Sequence, residues 1–458
     1  MTTLEPVPTE QPLEQPPEQP SSSFPSSEQI HRTMRFSTLE GSITQIFINW
    51  TTGSVLTGLM LHYGATAFEL AMVASVPLLA QSASPFAAYL AGIFGRRKRL
   101  MILFALIGRG CWILAAFLPW LGVPDAIKPF FLVMLVAFSS VFQAATGTLW
   151  AGLMGDLVPG EERGRYFGYR AGLSGVVGML GNLGAGYLLD RLEAPLNFQV
   201  VLFISVGLAL IGIALYATHV EPPPPPLQNM KKTLLEPWQD LNFRRLLRFA
   251  LFWQASVFLA APFVFTYFIT ELKLSFTQIA LWSVVGATCA LFTNALWGQV
   301  ADKVGNKAVV QIGTFLAGSL MPASWILAGV TGNINFVWLS AVFDALAWGA
   351  VNPALFNLAV VSAKPESRLS FIAAFSLATG VAGFLGGLAS GPLLELFRSW
   401  FIGGTAWTGY HMLFAVSGGL RMMAWVLVRP IQETHAWRAR DVLREVRRWR
   451  NSGFPWHT

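Results

Sequence analysis

The sequence predicts an all-α membrane protein in which twelve transmembrane helices form two pseudo-symmetric six-helix bundles. Three observations carry that prediction. Charged residues are too few to coat a soluble globule, apolar runs of bilayer-spanning length are separated by short turns, and the second half of the chain repeats the first.

Of the 458 residues, 54% are apolar and 12% charged, and the mean hydropathy is +0.52. Soluble domains carry about 25% charged residues, so this chain lacks the polar surface that a water-soluble fold of its size needs. That excludes a soluble enzyme, a nucleic-acid binder and a disordered scaffold. The net charge of +7 does not reopen nucleic acid as a partner, because the basic residues fall in short clusters between apolar blocks, as cytoplasmic loops do. Cys111 and Cys289 lie inside apolar runs, so neither a disulfide framework nor a metal site is expected. No cofactor is expected either.

Residues 1–36 read as a disordered cytoplasmic tail rich in Pro, Glu and Ser. The stretch Met1 to Ile30 holds seven prolines, five glutamates and no Lys or Arg, so it neither buries a core nor resembles a cleavable signal. Helices of about 20 apolar residues cross a bilayer core. Scanning on that length gives spans at 41–62, 67–94, 99–121, 127–155, 166–190 and 196–220, an N-terminal bundle over 37–220. Five consecutive prolines, Pro222 to Pro226, cannot continue a helix and open a cytoplasmic linker over 221–245. Spans at 246–271, 275–301, 306–331, 334–361, 367–395 and 404–429 form the second bundle, over 246–430. Residues 431–458 read as a basic amphipathic cytoplasmic tail, with Trp437, Val442, Val446 and Trp449 among six arginines, suited to lie on an anionic leaflet.

Charge sets the orientation. With both termini inside, cytoplasmic segments hold 24 of the 31 Lys and Arg residues and external loops hold four. The opposite topology violates the positive-inside tendency in nearly every loop. The expected location is therefore the plasma membrane, the inner membrane if the source is bacterial, as a multi-pass monomer in the lipid bilayer.

A shift of 205 residues aligns the halves without a gap. Gly175, Gly178, Gly181 and Gly186 fall on Gly380, Gly383, Gly386 and Gly391, Leu183 and Leu188 fall on Leu388 and Leu393, and Asp190 falls on Glu395. Parallel repeats of six spans imply two bundles related by an axis along the membrane normal. The loop after span eight, Gly298-Gln299-Val300-Ala301-Asp302-Lys303-Val304-Gly305-Asn306-Lys307, fits the pattern G-x-x-x-D-[RK]-x-G-[RN]-[RK]. On these features the chain resembles the major facilitator superfamily of secondary transporters over about residues 37–430. The first-half copy of the loop, Gly92 to Arg99, lacks the acidic position. The resemblance implies that the surviving loop braces the opposite bundle in the outward-facing state. Asp302 is then expected to approach the start of span five near Arg163 and Arg165 as a gating latch.

The resemblance also implies that spans one, four, seven and ten line a central cavity. Span ten carries Asp344, Trp348 and Asn352 at i, i+4 and i+8, one helical stripe. Span four carries Ser139, Gln143 and Trp150, span one carries Gln45 and Asn49, and span seven carries Gln254. These residues are the expected substrate or ion site. Asp344 reads as the one carboxylate well inside a span, with Glu40, Glu69 and Glu271 placed at span ends. Lipid and dry protein disfavour an ionised carboxylate unless it is paired, hydrated or protonated, which makes Asp344 the candidate for proton coupling, for cation binding or for pairing with a basic substrate. Arg109 and Arg421 are expected to make structural contacts, and the glycines of spans five and eleven to allow close helix packing.

No catalytic constellation is visible, since the six histidines are scattered without ligand spacing, and no P-loop pattern is present. The expected function is secondary active transport of a small solute by alternating access, coupled to a co-transported proton through Asp344. An uncoupled facilitator and a non-transporting membrane sensor are the alternatives.

Overall fold

The computed structural model describes residues 25–222, 236–361, 368–401 and 406–433, and among them all regular structure is helical. Eleven helical segments are long and apolar enough to cross a membrane: Ala67–Phe94, Arg97–Ala116, Asp125–Leu157, Arg163–Arg191, Leu196–Tyr216, Leu241–Thr270, Phe276–Val304, Asn306–Thr331, Asn335–Ala359, Ser370–Trp400 and Gly409–Val428. These are spans two to twelve.

Span one differs from its expected form in two ways. It is two helices, Ser27–Trp50 and Gly53–His62, with the break at a pair of threonines. Thr51 and Thr52 turn their hydroxyls back onto the carbonyls of Phe47 and Ile48, and Gly53 adopts a φ of 57°, which a side chain would resist. The first helix also begins ten residues before the boundary set for the disordered tail. Ser26 and Gln29 form a capping box that starts it, so residues 27–36 are helix and not tail. The linker is shorter for a similar reason: the Asp240 carboxylate accepts from the Phe243 amide and starts span seven at Leu241, inside the segment assigned to linker. The expected amphipathic helix of the C-terminal tail and the five-proline segment beyond Pro222 lie outside the described residues.

The glycine repeat has a direct structural use. Gly178 lies against Gln45 and Asn49, and Gly181 against Ile46, so span five seats on span one. Gly383 and Gly386 seat span eleven on span seven at Gln254, Phe258 and Ala255 in the same way. Other glycines of the two spans face the opposite half, and Gly383 itself also lies against Leu78 of span two. Gly186 meets the backbone of Phe276 and Thr277 in span eight, and Gly391 meets that of Ala67 and Phe68 in span two.

The apolar core shows how the bundles meet. One cluster joins Phe47, Leu59, Leu70 and Phe198 of the first half to Phe263, Phe268, Trp325 and Phe414 of the second. Toward the opposite end of the spans the core splits. Leu246, Val310, Val351 and Phe371 belong to a cluster of the second half alone, while Met34, Met154 and Tyr166, and separately Met101, Leu149 and Tyr216, belong to the first. The two halves therefore share a core at the end bearing the 63–66 and 192–195 turns. They keep separate cores at the end bearing the basic loops.

Those loops are fastened within their own halves. Arg97 pairs with Asp156 at 2.6 Å, and Lys98 donates to the carbonyls of Ala217 and His219 at the end of span six. In the second half Lys307 donates to the carbonyls of Arg429 and Ile431 beyond span twelve, and Glu433 accepts from the Asn306 and Lys307 amides. A cation at the C-terminal end of a helix and a carboxylate at the N-terminal end both suit the helix dipole.

Candidate functional site

Each half carries a polar centre among its spans. In the second half, the Trp348 indole N–H donates to Asp344 at 3.0 Å, one turn back along span ten. Trp253 of span seven is buried and packs edge-on against Trp348, with ring centroids 5.8 Å apart. This fixes the indole that holds the carboxylate. Arg421 of span twelve is buried and donates to the carbonyls of Val257 and Ala317 at 3.2 and 3.4 Å. Its charge acts on Asp344, yet among the described residues no ion pair within 4 Å includes Asp344. Gln254 is half-buried beside Gly383, and Asn352, two turns beyond Asp344, is exposed.

In the first half, Gln45 donates to Asn49 at 2.9 Å and Asn49 to the Gly178 carbonyl at 3.1 Å. Gln254 and Asn49 are 205 positions apart, as are Gly383 and Gly178, so one side-chain-on-glycine contact recurs in both halves. Gln143 is half-buried and donates to the Ser139 hydroxyl at 3.2 Å. Ser139 itself corrects the expected site. It is 1% exposed, accepts from the Trp112 indole and donates to the Gly108 carbonyl, so it ties span three to span four and has no surface to offer a solute. A helical stripe tells which residues share a face, but not whether a neighbouring helix covers it.

The larger correction is Glu40. With span one starting at Ser27, Glu40 sits four turns into a helix and not at its end, and its side chain is 1% exposed. Arg109 of span three reaches one carboxylate oxygen at 3.2 Å, and Arg170 of span five reaches the other at 3.5 Å. Thr44 donates to Glu40 at 2.7 Å, and Arg109 also donates to Thr44 and to the Tyr216 hydroxyl. The Arg170 guanidinium lies over the Trp150 ring with its carbon 4.0 Å from the centroid, and Trp150 donates to Ser37 at 2.9 Å. Asp344 is thus not the one carboxylate deep in a span. The Ser26-Gln29 capping box, followed by Ser37, Glu40 and Thr44 along one helical face, is the sequence signal that would have placed Glu40 inside.

The three residues expected to form a latch, Asp302, Arg163 and Arg165, are exposed. Arg163 donates to the carbonyls of Val158 and Gly155 in its own half, and no ion pair among the described residues joins Asp302 to Arg163 or Arg165. At the shared-core end a different link is made. The Asp190 carboxylate, at the end of span five, accepts from the amides of Phe276 and Thr277 at 2.9 and 2.8 Å, the first turn of span eight. In the sequence Asp190 is legible only as a repeat position, aligned with Glu395.

Two six-span halves with repeated contacts, separate cores at one end and one polar centre each define a known architecture, and comparison with known proteins agrees. The chain matches the Major Facilitator Superfamily over residues 41–387 and again over 255–456. The chain belongs to this superfamily. A curated relative, the class H tetracycline resistance protein of Pasteurella multocida, is 24% identical over 354 residues, which cover 73% of this chain and 79% of the relative. Among solved superfamily structures, a bacterial homologue of the human lysosomal transporter Spinster superposes with a TM-score of 0.70 at 14% identity, over 90% of this chain and 100% of that one. A D-xylose–proton symporter gives 0.69 at 16% identity over 90% and 99%, and the nucleoside transporter NupG gives 0.67 at 13% over 87% and 98%. The protein is accordingly a multi-pass membrane transporter of small solutes and not an enzyme.

Proposed function

We propose that the protein is a secondary active transporter that moves its solute by alternating access and couples the movement to protons through Asp344. One observation carries the coupling. Asp344 is held by a neutral indole donor and has no ion-pair partner among the described residues, whereas Glu40 has two. A carboxylate against a low-dielectric wall, whose nearby cation Arg421 is spent on the carbonyls of Val257 and Ala317 and makes no ion pair with it among the described residues, is able to gain and lose a proton as its surroundings change.

Rocking is supported by the division of the core. The halves join at one end and stand apart at the other, and the positive-inside tendency makes the separated end cytoplasmic, with both termini on that side. In the opposite state the cytoplasmic ends approach, and Asp302 then meets Arg163 and Arg165. The solute site lies between the centres, formed by Gln45, Asn49, Gln143 and Trp150 on one side and Gln254, Asp344, Trp348 and Asn352 on the other. The protein acts as a monomer in the bilayer.

Flux of a labelled solute panel into and out of proteoliposomes, with and without an imposed pH gradient, tests this reading. The gradient is expected to drive accumulation by the wild type and not by Asp344→Asn, while Asp344→Asn still equilibrates solute down its own gradient. Gradient-driven accumulation that survives in Asp344→Asn overturns the coupling role, and wild-type flux indifferent to the gradient makes the protein an uncoupled facilitator.

A further inference from the structure

The first-half centre does not balance its charge. Arg109 and Arg170 both direct their ion pairs to Glu40, and no second carboxylate pairs with either among the described residues. Two guanidiniums on one carboxylate leave a surplus of one positive charge, whereas Asp344 and Arg421 offset each other in the second half. A surplus charge away from bulk water is costly unless an anion answers it.

The surplus has an open side. Arg109 is enclosed, with 6% of its side chain exposed, but Arg170 keeps 19%. Arg170 spends its Nε on the Ser37 carbonyl at 3.2 Å and one Nη on Glu40, and among the described residues its other Nη has no acceptor. Trp150 covers one face of the guanidinium, so the free edge is held in a fixed plane. Gly41 makes room for it, since a Cβ there would collide with the Arg170 head. The arrangement is rigid, cationic and partly open, between spans one, four and five.

We infer that Arg170 is the docking point for the carboxylate of a monovalent organic anion, and that organic acids carrying an apolar or aromatic body are the substrate class. A guanidinium edge matches a carboxylate in plane and in spacing of donors. One surplus charge favours one negative charge on the solute. The Trp150 ring beside the guanidinium offers an apolar surface to the flat body of such an acid. The inference rests on the carrier reading for its meaning as substrate, but the binding it requires is measurable without flux.

The test uses purified full-length protein and two matched pairs, benzoate with benzamide and indole-3-acetate with indole-3-acetamide, with chloride as the inorganic probe, read by calorimetry and thermal shift. The acids are expected to bind at least tenfold more tightly than their amides and to raise the melting temperature. Arg170→Gln is expected to bring acid binding down to the amide level. It gives up the span-five contacts with Glu40 and Ser37 but leaves Glu40 paired with Arg109 and Thr44, so the variant is expected to fold with a lower unliganded melting temperature, the baseline against which its ligand shifts are read. Arg170→Lys retains part of the preference, as a point charge without the fork. Equal binding of acids and amides, binding of neither, or a preference that survives Arg170→Gln overturns the inference. So does chloride displacing the acids at equal concentration, which makes this an inorganic-anion site. Binding of acids without flux would sink the carrier reading alone, and flux of amides with no preference for acids would sink this inference alone.

Discussion

Glu40 is the residue on which the first-half centre depends. It is the shared anion of two arginines that come from different spans, so its charge holds spans one, three and five together. Removing one member of a buried, hydrogen-bonded charge cluster strands the others, at roughly 3–5 kcal/mol. Glu40→Gln is therefore expected to lower the melting temperature strongly, and adding Arg109→Gln to it is expected to recover part of the loss because one stranded cation is gone. A double variant less stable than the single would show that Arg109 works through Tyr216 and not through Glu40. His219, just past span six, gives a second test at this scale. Its ring is buried, Nδ1 donates to the Leu215 carbonyl at 3.0 Å, and burial holds its pKa below the ordinary 6.5. The unfolded chain takes up that proton near 6.5 and the folded chain resists, so the stability His219 confers is present above 6.5 and lost as pH falls below it. The melting temperature is expected to fall between pH 7.5 and pH 5.5, less steeply in His219→Gln, and parallel curves would clear His219 of that role. Sequence reading found Asp344 because one carboxylate interrupts an otherwise apolar run. It missed Glu40 because a charge near a run's edge looks like the edge, and it misassigned Ser139 because helical spacing fixes a face without naming what packs on it.

Spans five and eleven show how much a single helix can encode. Their glycines were legible as a repeat and as close-packing positions, but which neighbour each one meets depends on the bundle's three-dimensional order. Gly386 lies so close to the Ala255 backbone that an added methyl has nowhere to go, whereas nothing approaches Gly172 within 4 Å. Forcing a methyl into such a contact moves backbone and costs roughly 1–3 kcal/mol, while Gly to Ala in an open helical position gains up to about 1 kcal/mol of helix propensity. Gly386→Ala is expected to lower the melting temperature and Gly172→Ala to hold or raise it. Equal effects would mean that composition, and not contact, governs these helices. Span one illustrates the opposite limit. Its length was legible, but the break at Thr51 and Thr52 was not, because each hydroxyl-to-carbonyl bond is a local choice that an apolar count does not register.

In the alternating-access reading, the balance between the two states of the whole molecule is set where the halves touch. Tyr216 and Arg421 stand 205 positions apart, so the halves place a buried guanidinium in the same region from different spans: Arg109 of span three reaches Tyr216 in the first, and Arg421 of span twelve takes the tyrosine's place in the second. The bundles thus share contacts at equivalent positions and differ in charge, which suits the proposed division between an anion-docking half and a proton-coupling half. Between them, the Asp190 carboxylate caps span eight from across the interface, completing amides that the helix itself leaves unpaired. Asp190 is exposed, so its charge at a helix N-terminus contributes only roughly 1 kcal/mol, but a state balance is sensitive to that amount: it corresponds to about a fivefold change in population. Asp190→Ala is expected to enrich the conformation open at the 63–66 and 192–195 end, seen as a longer distance between one spin label on the 192–195 turn of the first half and one on the 332–334 turn of the second. If Asp302 latches the basic-loop end in the other state as proposed, Asp302→Asn is expected to shift the same distance the opposite way. If Asp190→Ala leaves the distance distribution unchanged, the shared apolar core and the glycine contacts at Gly186 and Gly391 hold that end closed by themselves, and the state balance must be set at the cytoplasmic loops.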